Sequence, residues 1–228
     1  MLHGFLPTLL DGTLTTLGVA GASLVIAVLL GLLGAAAKLS RIPVIRWLAT
    51  SYTTVVRGVP DLVLMLLIFF GGQIGINAAA AALGYDGYVD INPFVAGVAT
   101  IGFIFGAYLT ETFRGALMAI PAGQREAGLA FGMSPMRVFL RITFPQMVRF
   151  AIPGFTNNWL VLVKSTAIVS VIGLTDMMHS AGLAAGATRE PFTFYLAAAA
   201  IYLAITSISL IALGALEKRV TVGLRRAA

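Results

Sequence analysis

The chain has 228 residues, 59% hydrophobic and 11% charged, with a mean hydropathy of +0.96. That composition excludes a water-soluble globular domain. Fifteen Lys and Arg against nine Asp and Glu give a formal charge of +6, but the basic residues sit in short groups between long apolar stretches, a pattern of membrane topology rather than of nucleic-acid binding. With no cysteine and two histidines, a disulfide framework, a thiolate metal site and a Cys nucleophile are excluded, and little is left to hold zinc or haem.

A helix crossing a hydrocarbon core of about 30 Å needs about 20 apolar residues, because each rises about 1.5 Å and lipid offers its backbone no partner. Five segments predict such helices, at 12–37, 60–84, 93–118, 147–173 and 191–216, within a single all-α integral membrane domain over 1–228. The first (LTTLGVAGASLVIAVLLGLLGAAA) and second (LVLMLLIFFGGQIGINAAAAALG) are free of charge. The third opens with Asn92-Pro93, a side-chain cap followed by a residue preset for the first turn, and its Gly102-Phe-Ile-Phe-Gly106 suits close approach by another helix. Lys164 interrupts the fourth, and Pro153-Gly154 is expected to kink or break its first half. The fifth follows Glu190, begins at Pro191 and carries Phe and Tyr near its start as interfacial anchors.

The connections fix the orientation, because short loops rich in Lys and Arg stay in the cytoplasm. Lys38, Arg41, Arg46 and Arg57 follow the first span, Arg114, Arg125, Arg137, Arg141 and Arg149 the third, and Lys218, Arg219, Arg225 and Arg226 the fifth. The other two connections carry Asp86, Asp90, Asp176 and Glu190 against Arg189 alone. The expected topology is N-terminus out, C-terminus in. The start, Met-Leu-His-Gly-Phe-Leu-Pro, lacks the basic region and cleavage site of a secretory signal, so the first span is expected to be retained.

The connection between spans three and four, 119–146, overlaps the stretch IPAGQREAGLAFGMSPMRVFLRITFPQMVRF (120–150) and is longer than a turn requires. Pro121 can start a helix, Gly132 can end it in a left-handed cap, and Ser134-Pro135 can cap a second helix running to about Thr143, before Pro145. On that second helix Met136, Phe139, Leu140 and Thr143 share one face, with Arg137 and Arg141 on another. A helix lying on anionic headgroups accounts for such a pattern.

The spacing is more specific. Glu126-Ala127-Gly128, Gly132 four residues on, and Ile142-Thr-Phe-Pro145 resemble the "EAA" loop of permease subunits in ATP-binding-cassette importers. Gly128 stands where that pattern has a second Ala, and Phe144 where Leu is common. Tyr52 to Pro60 (YTTVVRGVP), Tyr108 to Gly115 (YLTETFRG) and Asn158 to Leu174 (NWLVLVKSTAIVSVIGL) extend the resemblance over nearly the whole chain. They are most similar to the polar amino-acid branch, namely the histidine/lysine/arginine/ornithine permeases and the related opine permeases.

The resemblance implies a type I importer transmembrane domain in the bacterial inner membrane that translocates a polar, basic amino acid or an opine by alternating access. It implies a sister permease subunit in a heterodimer, two ATP-binding-cassette ATPase subunits and a periplasmic amino-acid-binding protein. No cofactor is expected on this chain, since ATP and Mg belong to the ATPase. The loop becomes a coupling helix seated in a cleft of that ATPase, with Glu126 a fixed charge at the contact, Ala127 and Gly128 permitting close approach, and Gly132 the corner.

Ionisable groups within spans are costly, about 2.5 to 3.5 kcal/mol at a helix centre on insertion scales, so each needs a partner or a task. Arg57 and Asp61 are four apart, and Glu111 and Arg114 three apart, so each pair can close an ion pair within one helix. Alternatively, Asp61 or Glu111 faces the path and offsets the charge of a cationic substrate. Lys164, Ser165 and Thr166 lie where the fourth span is interrupted; Lys164 either holds a substrate carboxylate, snorkels to an interface or pairs with an acid. His3 and His179 read as surface residues, and Gly71-Gly72 as helix packing. There is no G-x-x-x-x-G-K-[ST] phosphate loop, so the chain is not the ATPase. An intramembrane hydrolase lacks its base and nucleophile; an ATP-independent channel leaves the two-helix loop unexplained.

Overall fold

The computed structural model describes residues 4–220. His3, Arg225 and Arg226, used in the reading above, lie outside the described residues. Within them the chain is helical: α1 Leu6–Lys38, α2 Pro43–Gly58, α3 Asp61–Ala82, α4 Pro93–Met118, α5 Ala122–Ala130, α6 Pro135–Val138, α7 Phe144–Ser165, α8 Met177–Thr188 and α9 Pro191–Val220. A π-helical turn, Phe139–Thr143, joins α6 to α7, and a 3-10 segment, Thr166–Ile172, prolongs α7. Five helical stretches are long and apolar enough to cross a membrane: α1, α3, α4, Pro135–Ile172 and α9.

The most extensive pairing is α1 with α4, which run parallel. Gly18 lies beside Phe94, the Ser23 hydroxyl donates to the Val98 carbonyl at 3.3 Å, and the two helices are still together at Lys38 and Glu111. Small residues set this closeness. A Cβ on Gly102 would stand 2.7 Å from Ile26 Cβ, and one on Gly106 2.8 Å from Leu30 Cβ, so the glycine pair read from the sequence does seat another helix. α7 runs antiparallel to α4, with Asn158 Nδ2 donating to Thr112 Oγ1 at 2.9 Å and Val169 against Gly97. Phe194 at the start of α9 is buried with Leu9 and Met177, whereas Leu216 and Val220 lie near Leu32 and Phe144. Spans one, three and five therefore share a direction opposed by span four, as the charge pattern requires.

Local signals explain the boundaries. Asn92 caps α4 by accepting from Phe94 N at 2.8 Å, and Asp176 caps α8 by accepting from His179 N at 2.8 Å. Two expectations are corrected. Of the kink or break expected at Pro153-Gly154, the break does not occur: Pro153 sits inside a continuous α7, because the loss of one donor costs a hydrogen bond and leaves the remaining backbone pattern intact. Pro145 does not end the second loop helix either. The π-helical turn widens the backbone just before the proline, where its ring would otherwise meet the preceding turn, and the helix runs on into α7. The real change of helix type comes after Ser165.

The sequence reading also missed two helices. α2 occupies a connection read only for its charges, and α8 lies in the outer connection. Gly71-Gly72, read as helix packing, make no close helix contact within this chain: nothing lies within 4 Å of a Cβ on Gly71, and one on Gly72 would touch only Ile91 at 3.6 Å.

Candidate functional site

Two regions gather the residues singled out above. The first is at the cytoplasmic ends of α1 and α4. Glu111 is held from both sides: Lys38 Nζ meets its Oε1, while Arg114 Nε donates to Oε2 at 2.9 Å and Arg114 Nη2 approaches at 2.8 Å. The pair three apart therefore forms, and a third member unseen in the sequence joins it. Lys38 also donates to Thr53 Oγ1 at 2.8 Å, which ties α2 into the cluster. The Glu111 and Lys38 side chains are 18% and 13% exposed, so their charges depend on one another rather than on water.

Arg57 and Asp61 do not form the intrahelical pair. α2 ends at Gly58, Val59 and Pro60 are extended, and α3 begins at Asp61, so the two side chains leave different helices. Arg57 instead lies over the Tyr108 ring, 5.4 Å from its centroid. Asp61, half-buried in the first turn of α3, lies beside Ser165 of α7 and has no ion-pair partner among the described residues. Lys164, which precedes Ser165 in the chain, is exposed and makes no ion pair among the described residues. Thr166 is buried and donates to Val163 O at 2.7 Å, so it faces the interior of the bundle.

A polar cavity of about 470 Å³ opens beside the first cluster, lined by Lys38, Thr53, Thr54, Arg57, Tyr108 and Glu111. On α2 it is lined by Thr53, Thr54, Arg57 and Gly58, and Thr54 and Arg57 extend an exposed stripe that begins at Arg46 and Thr50, at spacings of three and four. That periodicity was the available signal for α2 and for the cavity. Tyr52, on another face, anchors the helix by donating to Phe103 O at 2.5 Å.

The second region is the loop 119–146. α5 forms as the sequence predicts and α6 starts at the predicted cap, with Gly132 at φ +77° making the corner and Ser134 accepting from Arg137 N at 3.4 Å, although α6 itself ends at Val138. Glu126 and Ala127 are exposed on α5. Gly128 is not available to a partner, which corrects its expected place at a docking face. It is buried inside the loop, where a Cβ would lie 2.8 Å from Ile142 Cδ1 and 3.0 Å from Val138 Cγ2. Gly128 and the half-buried Ile142 hold the two loop helices together, and Pro145 is exposed at the start of α7. Phe131, 90% exposed, and Met136, 66% exposed, supply the apolar tip.

Comparisons with known proteins meet these features. Residues 27–222 match the family described as binding-protein-dependent transport system inner membrane component. The histidine/lysine/arginine/ornithine transport system permease protein HisQ of Escherichia coli (strain K12) is 52% identical over 227 residues, covering 100% of this chain and 99% of that one. The octopine transport system permease protein OccQ of Rhizobium radiobacter is 43% identical over 201 residues, 88% and 85% of the two chains. A crystal structure of an amino acid ABC transporter with histidines superposes with a TM-score of 0.79 at 33% identity, covering 93% of this chain and 94% of that one. This chain therefore belongs to the binding-protein-dependent transport system inner membrane component family, with the type I fold of ATP-binding-cassette importer permeases, and is a multi-pass transporter subunit rather than an enzyme.

Proposed function

We propose that this chain is the permease subunit through which a basic amino acid, of the histidine, lysine, arginine and ornithine class, crosses a bacterial inner membrane. The observation that carries this reading is 52% identity along the full length to a permease named for those four substrates. The geometry adds the acid that a cationic substrate needs. Asp61 stands half-buried without a cationic partner among the described residues, whereas Glu111 is already neutralised by Lys38 and Arg114. The path then follows the head of α3, with Asp61, Ser165 and Lys164, and continues along the polar stripe of α2. Thr166 is left out of it.

The working assembly contains a sister permease distinct from this chain, two ATPase subunits that hold ATP and Mg, and a periplasmic amino-acid-binding protein; this chain itself binds no cofactor. Glu126, Ala127, Phe131 and Met136 form the surface seated on the ATPase, and Gly128, Gly132, Ile142 and Pro145 shape it. The 43% identity to an octopine permease favours an opine as the second substrate reading.

The test is to purify the tagged chain with its neighbours, reconstitute the complex, and measure ATP hydrolysis with candidate binding proteins and lysine, arginine, histidine, ornithine, octopine or glutamine. An ATPase that copurifies and is stimulated by a cationic amino acid supports the proposal. Stimulation by octopine alone selects the second reading. Transport without any ATPase overturns both.

A further inference from the structure

The cavity beside Lys38 has an unbalanced inventory of hydrogen-bonding groups. Both oxygens of Glu111, its one acid, are occupied, Oε1 by Lys38 and Oε2 by Arg114. Thr53 accepts from Lys38 and donates to Thr50 O at 3.1 Å. Three donors are left over. The Arg57 guanidinium makes only its contact with the Tyr108 ring, and the hydroxyls of Thr54 and Tyr108 have no hydrogen bond among the described residues. A guanidinium carries five N–H donors and no acceptor, in a planar fork that matches two oxygens at once. The charge balance points the same way: Lys38, Arg57 and Arg114 against Glu111 alone leave two positive charges around the cavity.

A cation is repelled by this excess charge, and a neutral hydroxyl compound, although the Thr54 and Tyr108 hydroxyls can accept from it, leaves the charged fork of Arg57 without its match. We infer that this cavity is a carboxylate-binding site, with Arg57 as its fork, Thr54 and Tyr108 as flanking donors, and Lys38 as a positioning residue that keeps Glu111 from claiming Arg57. Two sources supply that chemistry: the α-carboxylate of the amino acid on its way to the cytoplasm, or a free carboxylate of the cytosol. The first source rests on the transport reading above; the second does not. Separation of roles follows, with Asp61 facing the cationic end of a substrate and Arg57 its anionic end.

The test uses the purified full-length complex without nucleotide, titrated with lysine, with 1,5-diaminopentane (lysine without its carboxylate) and with acetate. Wild type is expected to bind lysine and not the diamine, and Arg57→Gln to weaken lysine binding by about tenfold or more, the scale of a charge-assisted contact. Arg57→Lys keeps the charge without the fork and falls between them. Lysine binding without acetate binding identifies the exiting substrate as the source. Acetate binding that Arg57→Gln abolishes identifies a cytosolic carboxylate.

Where Arg57→Gln abolishes no acetate binding, equal binding of lysine and diamine or lysine binding unchanged in Arg57→Gln overturns the site, as does no saturable binding of either carboxylate. The transport reading is judged separately. Lysine-stimulated ATP hydrolysis by the wild-type complex leaves it standing in all three of those cases. Its absence, with acetate binding still lost in Arg57→Gln, sinks the transport reading and keeps the site.

Discussion

Lys38 and Glu111, 73 positions apart in the chain, meet at the cytoplasmic end of the α1–α4 pair, and Arg114 closes on the other carboxylate oxygen. Glu111 is thus the common partner of two cations. Removing it leaves both without a counter-charge in a partly buried site, and removing Lys38 leaves Glu111 with Arg114. Glu111→Gln should cost about 2–3 kcal/mol and Lys38→Met about 1 kcal/mol, with the double variant more stable than Glu111→Gln alone. Thermal unfolding of the three proteins in one detergent measures this. Unchanged stability in Glu111→Gln would show that the cluster contributes nothing to the fold.

Just above that cluster, α1 approaches α4 at Gly31. A Cβ there would stand 2.7 Å from Leu109 Cβ and 3.2 Å from the Leu109 carbonyl carbon, which as backbone cannot swing aside. Gly31→Val should therefore part the two helices and destabilise the protein by about 2 kcal/mol or more, as overpacking of a filled interface does. Gly21, with nothing within 4 Å of its Cβ, is the control; Gly21→Ala should be neutral or slightly stabilising through helix propensity. Equal unfolding temperatures for the two variants would count against tight α1–α4 packing.

The first, second and fifth spans were legible because a lipid-crossing helix leaves a run of about 20 apolar residues with hardly a charge, and the third and fourth because their few charges interrupt stretches that are otherwise long and apolar. The corner at Gly132 and the cap at Asn92 were legible for the same kind of reason: each is settled by a local geometric need. α2 was hidden because Arg46 and Arg57 read as charges of a connection, although with Thr50 and Thr54 between them their spacing marks one face of a helix. The role of Gly128 was hidden because its neighbours, Val138 and Ile142, become neighbours only once the corner has formed. Pairing across distant segments was not readable at all. Nothing in the sequence around Lys38 names Glu111, and the i,i+4 spacing of Arg57 and Asp61 misled because Val59-Pro60 ends the helix between them.

The loop tip gives a prediction about coupling. Glu126 and Phe131 are exposed and make no contact that the fold requires, so changes there should spare folding. Glu126→Arg and Phe131→Asp are expected to leave the unfolding free energy within about 1 kcal/mol of wild type while abolishing binding-protein-stimulated ATP hydrolysis in the reconstituted complex. Gly128→Val should lose coupling together with local stability, because it wedges α5 away from Val138 and Ile142. Full coupling in Glu126→Arg would reduce the loop to a surface helix.

The two intramembrane acids should separate in a transport assay. Glu111 has no charge to spare, so Glu111→Gln should lower uptake of lysine and of a neutral analogue such as citrulline alike, through the fold. Asp61→Asn should lower lysine uptake about tenfold more than citrulline uptake, since an unpaired cation in a low-dielectric path has lost its counter-charge. Initial rates in proteoliposomes, at saturating binding protein, measure the ratio. An identical ratio for both variants removes Asp61 from the path.

At the outer end, Asp176 couples stability to pH. It is 1% exposed, and burial pushes its carboxyl above the ordinary value of 3.8, only partly offset by the amides of His179 and Met178 at the α8 N-terminus. The folded state thus holds the proton more tightly than the unfolded chain. Between 3.8 and the raised value the native protein carries more protons, so this group's contribution is fully present below 3.8 and is lost as pH rises through the raised value. Asp176→Asn keeps a capping oxygen for His179 and cannot ionise; its unfolding temperature should rise relative to wild type on going from pH 4 to pH 7. Asp176→Ala loses the cap as well and should fall below Asp176→Asn by about 1 kcal/mol at every pH. Unfolding curves for the three proteins across that range decide the matter. Parallel pH profiles for wild type and Asp176→Asn would mean that Asp176 is reached by water and titrates as an ordinary carboxyl.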